Sequence, residues 1–75
     1  MIAVIHVHAS RVSSVEWYNS EKDAMDYAVA MCQEHGASES EEEIRKELKN
    51  DGEYIPSSRP VWSVTVKECK KNQIQ

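Results

Sequence analysis

The order of apolar and polar residues along the 75-residue chain predicts three strands. In the segment from Ile2 to His8, successive side chains would alternate between the two sides of an extended chain, as is typical of a strand. The run VSSVEWYN is rich in β-branched and aromatic residues and follows the polar turn ASR, so it predicts a second strand paired with the first in a hairpin. The run VWSVTVKEC predicts a third strand, with Trp62, Val64 and Val66 on one face.

Two helices are predicted between the second and third strands. The first, from about Glu21 to His35, follows the capping residue Ser20 and has apolar residues at helical spacing. The second, from about Glu41 to Lys49, begins with a capping box formed by Ser40 and Glu43 and stops at the turn-forming sequence NDG. YIPSSRP, between this helix and the last strand, is predicted to be a loop.

These elements predict one α+β domain over residues 1–69, followed by a mobile C-terminal tail over residues 70–75. The order ββααβ favours a three-stranded, mainly antiparallel sheet with both helices on one face. We expect the apolar residues Ala3, Ile5 and Val7 to pack against the helices. The other face would then be open, and it would carry His6, His8, Ser63, Thr65 and Lys67.

The charge of the chain restricts its partners. The formal net charge is −4, and residues 34–53 carry eight acidic and three basic side chains, net −5, which leaves +1 for the rest. Basic residues are too few and too scattered to neutralise a run of phosphates, so we expect no nucleic-acid binding. The apolar runs are shorter than a membrane span and no signal segment is recognisable, which predicts a cytoplasmic protein with free thiols at Cys32 and Cys69 and no membrane partner.

One group of residues suggests a metal site. His6 and His8 share a strand face, and Cys32 and His35 are three residues apart on the first helix, so together they would make a ligand set that zinc accepts. In the predicted sheet, however, the two pairs lie on opposite sides. We therefore expect no metal or other cofactor and keep a metal-binding protein as the alternative.

The sequence does not predict an enzyme. Cys32 lies within the apolar stripe of the first helix and Cys69 has no evident histidine partner. The carboxylates of SESEEE lie on a solvated helix turn, and the chain has no glycine-rich phosphate loop. Among the aromatic residues, Trp17 and Trp62 are expected in the core, whereas Tyr18 and Tyr54, at element ends, are expected to anchor an interface. We predict no catalytic residues.

The chain resembles the small accessory proteins encoded in the early regions of tailed bacteriophages in its length, the order of its elements and its general residue pattern. The resemblance lies in the segments MIAVIHVHAS, VEWYNSEKDAMDYA and NDGEYIPSSRPVWSVTVKEC. The resemblance implies a protein that binds and inhibits or redirects a host protein, and it transfers no functional residue. We expect a non-enzymatic protein-binding module that acts by occlusion through its acidic helix or its open sheet face. A domain that associates with itself, for example as a homodimer, remains a further alternative. The partner-binding residues predicted are Glu41, Glu42, Glu43, Glu47, Tyr54, His6 and His8.

Overall fold

A computed structural model describes residues 1–56 and 61–68, which form one layer of helices on one antiparallel sheet. The elements are β1 (Ile2–His8), β2 (Arg11–Tyr18), α1 (Glu21–Glu34), α2 (Glu41–Asp51), β3 (Glu53–Tyr54) and β4 (Trp62–Glu68). The predicted α+β class and both helices are confirmed. Neither helix of the described part of the chain has the length and apolar content needed to cross a membrane.

The sheet has four strands in the order β2-β1-β4-β3, and each neighbouring pair is antiparallel. The prediction of three strands is therefore wrong by one. The additional strand, β3, has only two residues and lies where the segment predicted to be a loop begins. These two residues pair with Thr65 and Val64 of β4. The remainder of that loop at 57–60, Cys69 and the predicted mobile tail at 70–75 lie outside the described residues.

Side-chain and backbone caps set the limits of the helices. The Ser20 hydroxyl accepts a hydrogen bond from the backbone N–H of Asp23, and Ser40 does the same for Glu43. Gly52 ends α2 with a φ of 79°, a left-handed conformation that glycine adopts without steric cost. Its carbonyl accepts the N–H of Val66 at 2.8 Å, so the helix cap also joins α2 to the sheet.

The helices cover the face of β1 opposite to the one predicted. Ile2 and Val4 belong to the buried core with the helix residues, whereas Ile5 and Val7 are half-buried. The prediction failed because both faces of β1 are apolar, so alternation within this strand does not choose between them. The pairing with β4 does choose: residues directly opposite each other share a face, and Val4 lies opposite Val66. The apolar face of β4, with Trp62, Val64 and Val66, thus aligns with the even-numbered residues of β1, while Ser63, Thr65 and Lys67 lie on the open face as predicted.

Three aromatic residues show where the core ends. Trp62 is 8% exposed and lies in the core as predicted, but Trp17, at 54% exposed, is outside it, so its predicted core position is wrong. Tyr54, predicted as an exposed anchor, is completely buried. Its side chain points to the helix layer because Tyr54 pairs with Val64, a residue of the covered face.

Candidate functional site: an open apolar sheet face

The side of the sheet away from the helices presents a largely apolar surface, which we call the open face. Strand pairing defines its members, because each odd-numbered residue of β1 shares its face with its partners on both neighbouring strands. They are Ile5, Val7, Val12, Val15, Trp17, Glu53, Ser63, Thr65 and Lys67, together with Ala3, which is only 2% exposed.

A β-bulge in β2 brings its apolar residues to this face. His6 pairs with Ser14 and Val7 with Val12, so one extra residue, Ser13, is inserted in β2 at this point. In a regular strand, Val12 and Val15 would point to opposite faces, since their separation is odd. The bulge places both on the open face, where Val12 is 63% and Val15 41% exposed.

The edge strand β2 is inverted relative to an ordinary half-buried strand. Its exposed apolar residues, including Trp17, face outward, whereas the helix side carries Ser14 and Glu16 beside Tyr18, which packs against the core. An antiparallel sheet with one solvated face normally shows the reverse pattern, apolar residues inward and polar residues outward. The inversion leaves large apolar side chains on the uncovered side of the sheet.

Charge is confined to one side of the open face. Within the described part of the chain, the charged members are Glu53 and Lys67, which are diagonal neighbours on β3 and β4. The half formed by β1 and β2 carries no charged side chain on this face. At one end of the sheet, Val7, Ile55 and Val61 help to line a shallow depression of about 230 Å³. The open face therefore combines an uncharged apolar half with a polar border.

His6 and His8, both predicted on the open face, lie instead on the helix-covered side of β1. The ring of His6 stacks on that of His35 with a centroid distance of 4.2 Å and an angle of 20°. His6 is 6% exposed, and its Nε2 atom has no hydrogen-bond partner. Burial, and secondarily the charges of His35 and His8, lower the pKa of His6 below its usual value. The prediction that His6 and His35 lie on opposite sides of the sheet is thus wrong.

The structure does not assemble these histidines with Cys32 into a metal centre. Over residues 1–56 and 61–68, no group of three or more histidine, cysteine, aspartate or glutamate side chains is arranged to hold a metal ion. Stacked rings direct their nitrogen lone pairs within parallel planes and not toward a shared point. Cys32 is fully buried in the core, where burial raises the pKa of its thiol to about 12. Its surroundings favour a packing role.

The acidic helix α2 presents a mixed surface rather than a uniformly negative one. Glu41, Glu42 and Glu43 are exposed and Glu47 is half-buried. Arg45 contacts both Glu41, at 3.1 Å, and Asp26 of α1, at 2.6 Å.

Basic residues also line the space between the two helices. The hydrogen bond from Arg45, and then that from Lys22, holds the pKa of Asp26 below its usual value. A groove of about 490 Å³ between the helices is lined by Lys22, Arg45, Lys46 and Lys49 together with Glu21, Glu42 and Met25. Acidic and basic groups alternate here, so α2 does not form a single negative docking surface.

Tyr54 has a structural position rather than a surface one. Its hydroxyl donates a hydrogen bond to the carboxylate of Glu39, and its ring lies 5.7 Å from that of Trp62. Burial raises the pKa of Tyr54, and the bond to Glu39 adds to the effect. This arrangement holds the loop before α2 to the short strand β3.

Sequence reasoning therefore missed the apolar members of the open face on β2. Their signal is the spacing in VSSVEW, in which two valines are separated by two serines and a tryptophan follows at alternate spacing. Read as a regular strand, the two valines point to opposite faces. Only the bulge, which depends on pairing with β1, unites them.

Comparison with known proteins adds no relative to this picture. No protein-family model matches the chain, and no curated protein or solved structure is significantly similar to it. The class of the protein is thus given by its architecture, a small two-layer α+β fold with one face of the sheet uncovered.

Proposed function

We propose that this chain is a non-enzymatic protein-binding domain and that the open face is its binding surface. The observation that carries the proposal is the exposure of Val12, Val15 and Trp17 on one uncovered side of the sheet. Large apolar patches on small folded proteins mark interaction sites, and tryptophan is prominent among the residues that dominate binding energy.

The size of the apolar contribution supports this choice of surface. A tryptophan side chain of about 250 Å² that is 54% exposed leaves roughly 135 Å² for a partner to cover. At about 25 cal/mol per Å², covering it contributes roughly 3 kcal/mol before the costs of association. An exposed ion pair between a glutamate of α2 and a basic residue of a partner would contribute only about 0–1 kcal/mol by comparison.

The proposal includes the mode of action that the resemblance to phage accessory proteins implies. By covering a functional surface of a host protein, the open face would inhibit or redirect it without chemistry. The proposal places the protein in the cytoplasm, where a free thiol such as that of Cys32 stays reduced. Glu42 and Glu43 remain exposed and provide the second candidate surface, for a basic partner.

Capture from a bacterial lysate with tagged protein tests which surface binds. The informative variant is Val15→Lys, which places a charge at the centre of the open face. Its matched control is Glu16→Lys, which puts the same side chain at the next position of β2, on the other side of the sheet. Glu42→Lys with Glu43→Lys reverses the charge of the second candidate surface.

We expect the captured partner to be lost with Val15→Lys and kept with the other variants. Apolar binding should also persist at high salt, where binding by the acidic helix would weaken. Loss only with the α2 variant would assign binding to that helix. Retention with every variant would refute both surfaces.

A further inference from the structure

We propose that the occupant of the open face is a second copy of this chain, packed sheet against sheet around a two-fold axis. The inference rests on the proposed function, because it uses the same face: the dimer closes the open face, and a host protein would bind only the dissociated monomer. Two antiparallel sheets pack well at about 10 Å, with their strands within about 30° of each other. The product would have four layers, with helices outside and both sheets inside.

The distribution of charge favours the open face over the helix layer for the association of two copies. Helices α1 and α2 together carry nine acidic and four basic side chains, net −5, whereas the open face carries one of each, Glu53 and Lys67. Because α2 lies on the opposite side of the sheet, face-to-face packing places the two acidic helices on the outer surfaces, far from each other. Association through the helix layer would instead bring like charges together.

The open face is also self-complementary. A two-fold axis that runs across the strands at the centre of the face, over Ile5 and Val15, stacks each strand on its own copy in reverse direction. The uncharged half of one copy then covers the uncharged half of the other. Trp17, at one end of β2, meets the partner copy's Val12 at the opposite end. The row under the axis also contains Thr65 and Glu53, so each Glu53 faces the partner copy's Glu53 at the edge of the interface, where water and salt screen their repulsion. Lys67 lies at the same edge.

The area determines how tight this dimer is. β1, with 7 residues at about 3.4 Å each, is roughly 24 Å long, and the three strands β2, β1 and β4 are roughly 14 Å wide at about 4.8 Å per strand. The footprint of about 340 Å² per copy is below the roughly 800 Å² per partner of a standard interface. We therefore expect a weak, transient dimer, so that monomer and dimer interconvert with concentration.

Sedimentation equilibrium of the purified full chain from about 2 to 500 µM tests the inference over this range. We expect wild type to pass from monomer to dimer as its concentration rises. Val15→Lys should raise the dissociation constant at least about tenfold, because it buries an unpaired charge. The matched control Glu16→Lys should dimerise like wild type or better. Dimerisation should strengthen from about 50 to 500 mM salt, which screens the repulsion between two chains of net charge −4.

A second variant tests the proposed axis and does not depend on how Val15→Lys folds. In a chain with Cys69→Ser, Val15→Cys should be joined to its copy by a short bismaleimide crosslinker, which spans two thiols on facing sheets about 10 Å apart. Glu16→Cys, on the other side of β2, should not. Crosslinking of Glu16→Cys in preference to Val15→Cys would overturn the face-to-face arrangement.

The outcomes separate this inference from the proposed function. Wild type that stays monomeric up to 500 µM would refute the second copy as occupant, and loss of lysate capture with Val15→Lys would still support a foreign partner. A dimer that persists in Val15→Lys would show that self-association uses another surface. Dimerisation that depends on Val15, with no foreign protein captured, would make the second copy the partner of this face.

Discussion

The two tryptophans of this chain provide a quantitative test of the fold, because one is buried and the other lies on the open face. Trp62 is 8% exposed and Trp17 is 54% exposed. Taking about 250 Å² per side chain, folding shields roughly 230 Å² of Trp62 and 115 Å² of Trp17. At about 25 cal/mol per Å² these areas correspond to roughly 6 and 3 kcal/mol, upper bounds that a compact unfolded state lowers by about 10–40%.

We therefore expect Trp62→Ala to lower the free energy of unfolding by about 4 kcal/mol and Trp17→Ala by about 2 kcal/mol. For a domain of this size the difference corresponds to roughly 8–16 °C in Tm. Urea and thermal unfolding followed by far-UV circular dichroism measure both values. The protein concentration should be about 2 µM, so that a weak dimer adds nothing to the stability of the wild type.

Each variant also retains one tryptophan, whose fluorescence reports its surroundings. The remaining Trp17 in Trp62→Ala should be quenched readily by acrylamide, and the remaining Trp62 in Trp17→Ala should be protected. Equal losses of stability, or a larger loss with Trp17→Ala at this concentration, would refute the assignment of faces. Protection of Trp17 from quenching at about 2 µM would contradict it independently.

Three further perturbations test other parts of the structure. Tyr54→Phe removes the hydroxyl that donates to the Glu39 carboxylate and should lower the free energy of unfolding by about 1–3 kcal/mol in urea titrations; an unchanged midpoint would show that the bond contributes nothing. Burial and the neighbouring histidines lower the pKa of His6, so below pH about 6.5 the unfolded state binds more protons than the folded state. The free energy of unfolding should therefore fall as the pH falls below about 6.5, by at most about 1.4 kcal/mol per pH unit for this proton. His6→Gln should flatten that profile between pH 5 and 7, and a profile as steep as that of wild type would assign it to other groups. Ala9 and Ser10 form the hairpin turn, with φ of 52° and 65°. The double variant Ala9→Asn with Ser10→Gly suits a turn with both central residues at positive φ, so it should raise Tm by several degrees. A lower Tm would contradict this turn geometry.

The helices and their ends could be predicted from the sequence because their signals are local. The serine that caps α1, the capping box of α2 and the glycine that ends α2 act within a few residues of the backbone groups they satisfy. Apolar residues that recur at helical spacing also identify the buried side of a helix from its own sequence. These signals do not depend on how the element is placed in the fold.

The strands were less predictable because their decisive interactions are distant in sequence. The strand β3 has two residues and no alternation to detect, and it exists because Tyr54 inserts opposite Val64 under α2. The bulge that unites Val12 and Val15 is visible only in the register with β1. Prediction of the candidate site failed for the same reason, since the open face is assembled by pairing of three strands.

The position of His6 bears on the function as well as on the fold. A reversed β1 would bury Ile5 and Val7 and release the His6 ring to water, which would avoid the desolvation of its unpartnered Nε2. The native chain does the opposite: it buries the histidine against His35 and leaves apolar side chains on the open face. The apolar residues of β4 account for this choice within one copy, because Trp62 and its neighbours on that face need the covered side. They do not account for the bulge in β2, which places Val12 opposite Val7 and leaves Val12 63% exposed. In the proposed dimer a partner sheet would cover this residue, which would give the bulge a role beyond the contact of Val12 with Val7.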